Sequence, residues 1–167
     1  MIKLVTVLIV VLFTGSFAMS AEIDREVEIA EIERVIHLSI EWPFPEKDIN
    51  RCLSPLAKDE GFFVFHPDSA STIVGFEAFK KHAETIFMND ACKPISSDIR
   101  DMRISLSKSG EVAWFSAILD DFGEWDGKPW EWVNTRWTGV LEKRDGEWLI
   151  AQMHFSFASD AKDEKED

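Results

Sequence analysis

WEWVNTRWTGVLEKRDGEWLIAQMHFSF, residues 130–157, decides the fold of this chain. β-Branched and aromatic residues run on both sides of Asp145-Gly146, a dipeptide that favours the tight turn between antiparallel strands. The stretch reads as one long hairpin, rich in tryptophan and ending near His154. A two-stranded ribbon cannot bury its apolar face alone, so a second layer has to cover it.

The preceding residues supply that layer. Over residues 22–42, Ile29, Ile32, Ile36 and Ile40 recur at helical spacing, with Glu31, Glu33 and Arg34 off the stripe. Pro43 and Pro45 end this helix, and a short second one is expected from Pro45 to about Leu56. Residues 61–66 read as a strand and 67–69 as a turn. Phe76, Phe79, Ala83, Ile86 and Phe87 make residues 76–87 a third helix. Strands are expected over residues 98–106, 112–121, 130–142 and 147–157, with residues 122–129 as a longer loop. Three helices followed by four antiparallel strands make the class α+β, the helices gathered on one face of a curved sheet.

The chain has 167 residues, enough for one domain with a proper core. Residues 1–20 read as a signal peptide. Lys3 precedes an apolar run over residues 4–13, too short to span a bilayer, and Ser16/Ala18 or Ala18/Ser20 offer small residues for cleavage. Export to the periplasm or beyond is therefore expected, leaving residues 22–159 as the domain. Loss of Lys3 takes the net charge from −13 to −14, which disfavours nucleic acid and anionic membrane surfaces as partners. Residues 160–167, DAKDEKED, read as a disordered acidic tail. An exported chain permits a Cys52–Cys92 disulfide, and two buried free thiols are the alternative. Neither cysteine has the histidine neighbours of a structural zinc site, so no metal and no cofactor are expected.

Arg144-Asp145-Gly146, Trp148 and His154, set within TGVLEKRDGEWLIAQMHFS and preceded by this order of elements, resemble the SnoaL-like group of the nuclear transport factor 2-like superfamily. They are also similar to the association domain of calcium/calmodulin-dependent kinase. The resemblance spans residues 24–159. It implies helices on a bent sheet around a conical cavity, and often a dimer formed through the sheet's outer face. The kinase-type relatives place anion-binding arginines where this chain has Gly139 and Phe155, so that site is missing. Tyrosine is absent altogether, which removes the phenol that ketosteroid-type chemistry uses.

Strand parity then assigns faces. A type I turn with a glycine bulge pairs Lys143 with Glu147; a two-residue turn, the alternative, would set Trp137 opposite His154. The bulged register gives one face Val133, Thr135, Trp137, Gly139 and Leu141 with Leu149, Ala151, Met153, Phe155 and Phe157. This face is almost wholly apolar and is expected to be the inner one. The other face carries Trp132, Asn134, Arg136, Thr138 and Val140 with Trp148, Ile150, Gln152, His154 and Ser156; of these, Trp132, Asn134, Arg136, Thr138, Trp148, Gln152 and His154 are expected to make a homodimer contact. Trp114, Ser116 and Asp120 share a face of the preceding strand, where Asp120 could serve as a cavity base against apolar walls. The ligand-binding set is accordingly Phe65, His66, Phe79, Trp114, Ser116, Trp137, Met153 and Phe155. Trp125, Trp130 and Trp132 are expected at the cavity rim, either stacking on a ligand or pinning a loop.

Three functions fit these residues. One is an exported binder of a small apolar or aromatic molecule. Another is a cavity enzyme using Asp120, His66 and His154 in acid–base chemistry. The third is a dimeric interaction module without a ligand.

Overall fold

Residues 24–67 and 72–158 are described by a computed structural model of the protein. The expected signal peptide, the acidic tail and two of the three residues of the expected turn at 67–69 lie outside them. Helix α1, Arg25–Glu41, begins at Asp24, whose Oδ1 accepts from the backbone N–H groups of Glu26 and Val27 at 3.2 and 3.3 Å. Its buried side chains are Ile32, Val35, Ile36 and Ser39, so the apolar stripe turns slightly from the isoleucine line. Asp48 caps α2 in the same way, and this helix is shorter than expected, Ile49–Leu53. Helix α3, Phe76–His82, passes directly into one wide π-helical turn, Ala83–Phe87.

The sheet has six strands: β1 Phe63–Phe65, β2 Ile73–Val74, β3 Cys92–Leu106, β4 Val112–Trp125, β5 Lys128–Arg144 and β6 Glu147–Ser156. Their order is β2-β1-β6-β5-β4-β3. β1 runs parallel to β6 and every other neighbouring pair is antiparallel, so the curled, unclosed sheet is mixed. The expected count of four antiparallel strands after the helices holds, but the long loop at 122–129 does not exist. β4 and β5 continue through it and close on Asp126-Gly127, both at positive φ. The helical layer seals the concave side with Ile32, Ile36, Leu56, Phe62 and Phe79 against Leu119, Trp137, Leu141 and Ile150.

The β5–β6 hairpin closes on two residues, with φ of 53° at Asp145 and 87° at Gly146. Arg144 therefore faces Glu147, not Lys143. The bulge expected at the turn lies further along, between the Leu141–Ile150 and Val140–Gln152 pairs, where Ala151 is the extra residue. A second irregularity sits in β5, where Leu119 pairs with Thr135 but Asp121 pairs with Trp132. Asn134, at φ 54°, is part of it. Each extra residue reverses side-chain parity beyond it. Thr135, Trp137, Leu141, Met153 and Phe155 lie on the buried face as expected, but Trp148 and Ile150 join them, and Trp132 also turns inward. Trp148 is 3% exposed and donates its indole N–H to Glu28 of α1 at 2.6 Å. Val133 and Phe157, assigned to the inner face, are exposed.

Candidate functional site

A cavity of about 300 Å³ opens between the helices and the broad end of the sheet. Trp42 and Pro43 at the end of α1, Phe79 and His82 of α3, and Ile86 and Phe87 of the π turn form one wall. β3 contributes Cys92 and Pro94, β4 Leu119 and Asp121, and β6 Met153 and Phe155. His66, just after β1, closes the far side. Trp125, Trp130 and Trp132 ring the mouth where β4 turns into β5.

The wide turn after α3 matters to this wall. A π turn inserts extra backbone per turn and so re-aims the side chains around it. Here Phe87 stacks on Trp42 with 5.5 Å between ring centroids and meets His82 edge-on at 5.0 Å. His66 stands edge-on to Trp132, Phe155 and His82 at 5.9, 6.0 and 6.3 Å. The two histidines and these rings form one continuous aromatic surface. Burial pushes the proton affinity of His82 below its ordinary value, so its ring is neutral at pH 7.

The acid in this cavity is Asp121. It is half-buried and accepts the Ser97 hydroxyl at 2.7 Å. Burial raises its carboxyl to about 6, against the smaller opposing effects of the Ser97 hydroxyl and the Phe122 backbone N–H. A carboxyl of that strength changes charge close to neutral pH, which suits it to hold or pass a proton. Its cross-strand neighbours are Ser97 on β3 and Trp132 on β5, and the next pair on the same face is Gly123 with Trp130. The Trp130 indole lies directly over Gly123, in space that any Cβ would occupy.

Asp120, the expected cavity base, points the other way. Its carboxylate takes Arg100 Nη2 at 3.0 and 2.9 Å and the Asn134 backbone N–H at 2.6 Å. Arg100 also donates to the Asn134 side chain at 2.7 Å. Asp120 is thus a clamp on the β5 bulge, on the outer face. Trp114, 50% exposed, and Ser116 lie on that same face and do not reach the cavity. Phe65, 49% exposed, is also outside, edge-on to His154 at 5.9 Å. His154 therefore stands apart from the cavity acid. Trp137 is fully buried but sits behind the lining, stacked on Phe155 at 5.7 Å. Of the expected ligand-binding residues, His66, Phe79, Met153 and Phe155 line the cavity. Asn134, Arg136, Thr138, Gln152 and His154 keep the outer positions expected of a subunit contact, whereas Trp132 and Trp148 do not.

Cys52 and Cys92 are both buried and are both free thiols in this structure. Where the resemblance would place anion-binding arginines, Gly139 is covered by the Phe115 ring and Phe155 stacks on Trp137.

The sequence profile of the SnoaL-like domain matches residues 32–160. The chain belongs to the SnoaL-like domain family. No curated protein matches it by sequence. Among solved structures, the SnoaL-like chain is similar to a type 2 hexachlorocyclohexane dehydrochlorinase, LinA, at 16% identity and a TM-score of 0.64, covering 83% of this chain and 97% of that one. A nuclear transport factor 2-like protein of unknown function from Pseudomonas putida aligns at 17% identity and 0.60, over 84% and 93% of the two chains. A protein from Exiguobacterium sibiricum, likened by its name to a calcium/calmodulin-dependent kinase II association domain, aligns at 11% identity and 0.60, over 83% and 96%. At these identities the likeness establishes the nuclear transport factor 2-like fold and no activity.

Proposed function

We propose that this SnoaL-like protein is exported and binds a small, mainly aromatic molecule in its cavity. The observation that carries the proposal is the cavity's make-up: about 300 Å³, lined by aromatic and aliphatic side chains, four tryptophans among them. That volume is at the low end for small-molecule sites, and apolar walls with a few polar groups are their usual composition. The test is native mass spectrometry of protein purified from its own cell envelope, followed by thermal shift with a panel of small aromatics. A co-purifying small molecule, or a rise in Tm with members of the panel, supports binding. A ligand-free protein whose Tm none of them moves overturns it. N-terminal sequencing of the same material, starting at Met19 or at Ala21, checks export.

A second reading, an enzyme that moves a proton on its ligand, is favoured by one observation. Asp121, with its carboxyl raised to about 6, and the neutral His82 line the same cavity. Burial raises the acid and lowers the histidine, moving the two toward each other, which suits them to pass a proton to and from a ligand. Turnover of a bound aromatic that Asp121→Asn abolishes, with binding retained, would establish it.

The outer face carrying Asn134, Arg136, Thr138, Gln152 and His154 is proposed to pair two copies. Sedimentation at micromolar concentration checks this, with a single monomer species as the contrary result.

A further inference from the structure

The distribution of charge around the cavity narrows the chemistry of its occupant. Among its described lining residues there is a carboxylate but no lysine and no arginine. The carboxylate, Asp121, sits beside indoles on the sheet's inner face: Trp132 is its cross-strand partner, and Trp130 lies over Gly123, two residues along. Indole faces carry negative electrostatic potential and attract cations, most strongly where water is excluded. A carboxylate with two indoles for neighbours in one cavity makes a poor site for an anion and a good one for a positive nitrogen. The chain as a whole, at −13, draws cations toward the mouth.

We propose that the molecule this cavity accepts is a small arylalkyl amine or related organic monocation, its nitrogen lodged between the Asp121 carboxylate and the indoles of Trp130 and Trp132. The inference rests on the binding reading above and specifies the class of ligand within it. The ring of the ligand then lies against Phe155 and His66 on the far side. Burial of Asp121 without a positive partner is costly, and a bound ammonium supplies the missing charge. Binding is therefore linked to release of the proton that Asp121 holds below its raised titration point. The groups that face or neighbour Asp121 are few. Ser97 and Cys92 lie on β3, with Lys47 beside Cys92 and bonded to backbone carbonyls. His66 and His82 line the opposite side.

The test compares 2-phenylethylamine, 2-phenylethanol and 3-phenylpropanoate by quenching of tryptophan fluorescence, in 0.1 and 1 M salt. These probes share one ring and differ in charge. The amine is expected to bind about tenfold more tightly than the alcohol, and the carboxylate to bind least. A close, desolvated pair is screened little by salt, so the preference for the amine persists at 1 M. Asp121→Asn brings amine and alcohol within about twofold of each other, while Trp130→Ala weakens the amine about fivefold. The pH series on the unmodified protein is independent of any variant: the amine's advantage falls from about tenfold above pH 7 to about twofold by pH 5, with its midpoint near 6. Equal binding of amine and alcohol, an advantage that vanishes in 1 M salt, or one that survives Asp121→Asn overturns the cation assignment and leaves aromatic binding intact. Failure of all three probes to bind overturns the aromatic-binding reading as well.

Discussion

Asp120 and Asp121 are adjacent in β4, yet one clamps the outer face to Arg100 and the other faces the cavity beside Ser97. Their substitutions should behave as opposites. For Asp121 the folded carboxyl lies at about 6, above the ordinary value of 3.8. A raised acid favours the folded state below pH 3.8, and that advantage is lost as pH rises toward 6. Above pH 6 the ionised group costs the fold at most about 3 kcal/mol. Asp121→Asn is expected to raise Tm at pH 7.5 and to leave it nearly unchanged at pH 4, as measured by thermal melts across that range.

Asp120→Ala removes the acceptor for both Arg100 and the Asn134 backbone N–H. Loss of charge-assisted hydrogen bonds at a partly buried site costs about 2 kcal/mol. The expected result is a lower urea midpoint with an unchanged m-value. Asp120→Asn, which retains a carbonyl acceptor, should lose about half as much.

Two glycines distinguish a ring that can yield from a backbone that cannot. At Gly123 the three atoms nearest a new Cβ all belong to the Trp130 indole, whereas at Gly139 it meets the Gln152 carbonyl oxygen at 2.7 Å as well as the Phe115 ring. Gly123→Ala should displace Trp130, shift the tryptophan emission and weaken ligand binding, with a stability loss near 1 kcal/mol. Gly139→Ala should cost about 3 kcal/mol, because β5 and β6 must separate to admit it. Chemical denaturation of the two variants side by side checks the order.

How much of this was legible in the sequence depended on how local the cause was. The helical isoleucines and the site of the turn at Asp145-Gly146 depend on causes within a few residues, and the first helix and the hairpin form where they were expected, although the turn closes on two residues without the expected bulge. The faces of the strands are different. The bulges at Asn134 and Ala151 arise where a side chain from another strand, or a change of register, makes an extra residue tolerable. An asparagine at positive φ is the only local hint of the first. Asp121 was nevertheless within reach. Ala113, Phe115, Ala117 and Leu119 alternate as a wholly apolar face, and Asp121 is the next residue on it. The rule that placed Trp137 and Phe155 inside, applied to β4, selects Asp121 over Asp120.

Glu28 ties the first helix to the last hairpin. It accepts from Lys143 Nζ and from Trp148 Nε1, each at 2.6 Å, and these donors hold its carboxyl below the ordinary value of 4.5. A depressed acid stabilises the fold above pH 4.5, and the gain is lost as pH falls through the lower, folded value. Glu28→Gln should cost about 1 kcal/mol at pH 7 and progressively less below pH 4. Acid titration of both forms by circular dichroism reads the difference.

The buried thiols should be slow to react. Burial raises Cys52 to about 12 and Cys92 by a smaller amount, so neither is a thiolate at neutral pH. Ellman's reagent should find almost no thiol in the native protein and two per chain after unfolding in denaturant.

Among the described residues, β3, 15 residues long, is an outermost strand of the sheet, with the Cys92 and Leu106 carbonyls at its two ends taken by Lys47 and Arg25. An edge of that length is a template on which another strand can grow. β3 breaks its own regularity twice, between Pro94 and Ser96 and between Arg100 and Arg103, and Pro94 offers no N–H. An incoming strand would meet interrupted ladders of donors and acceptors at both places. Irregularity along β3 is thus a safeguard against fibrous self-assembly, and smoothing it by deleting Ile95 or Asp101 would give up solubility before it gave up the fold.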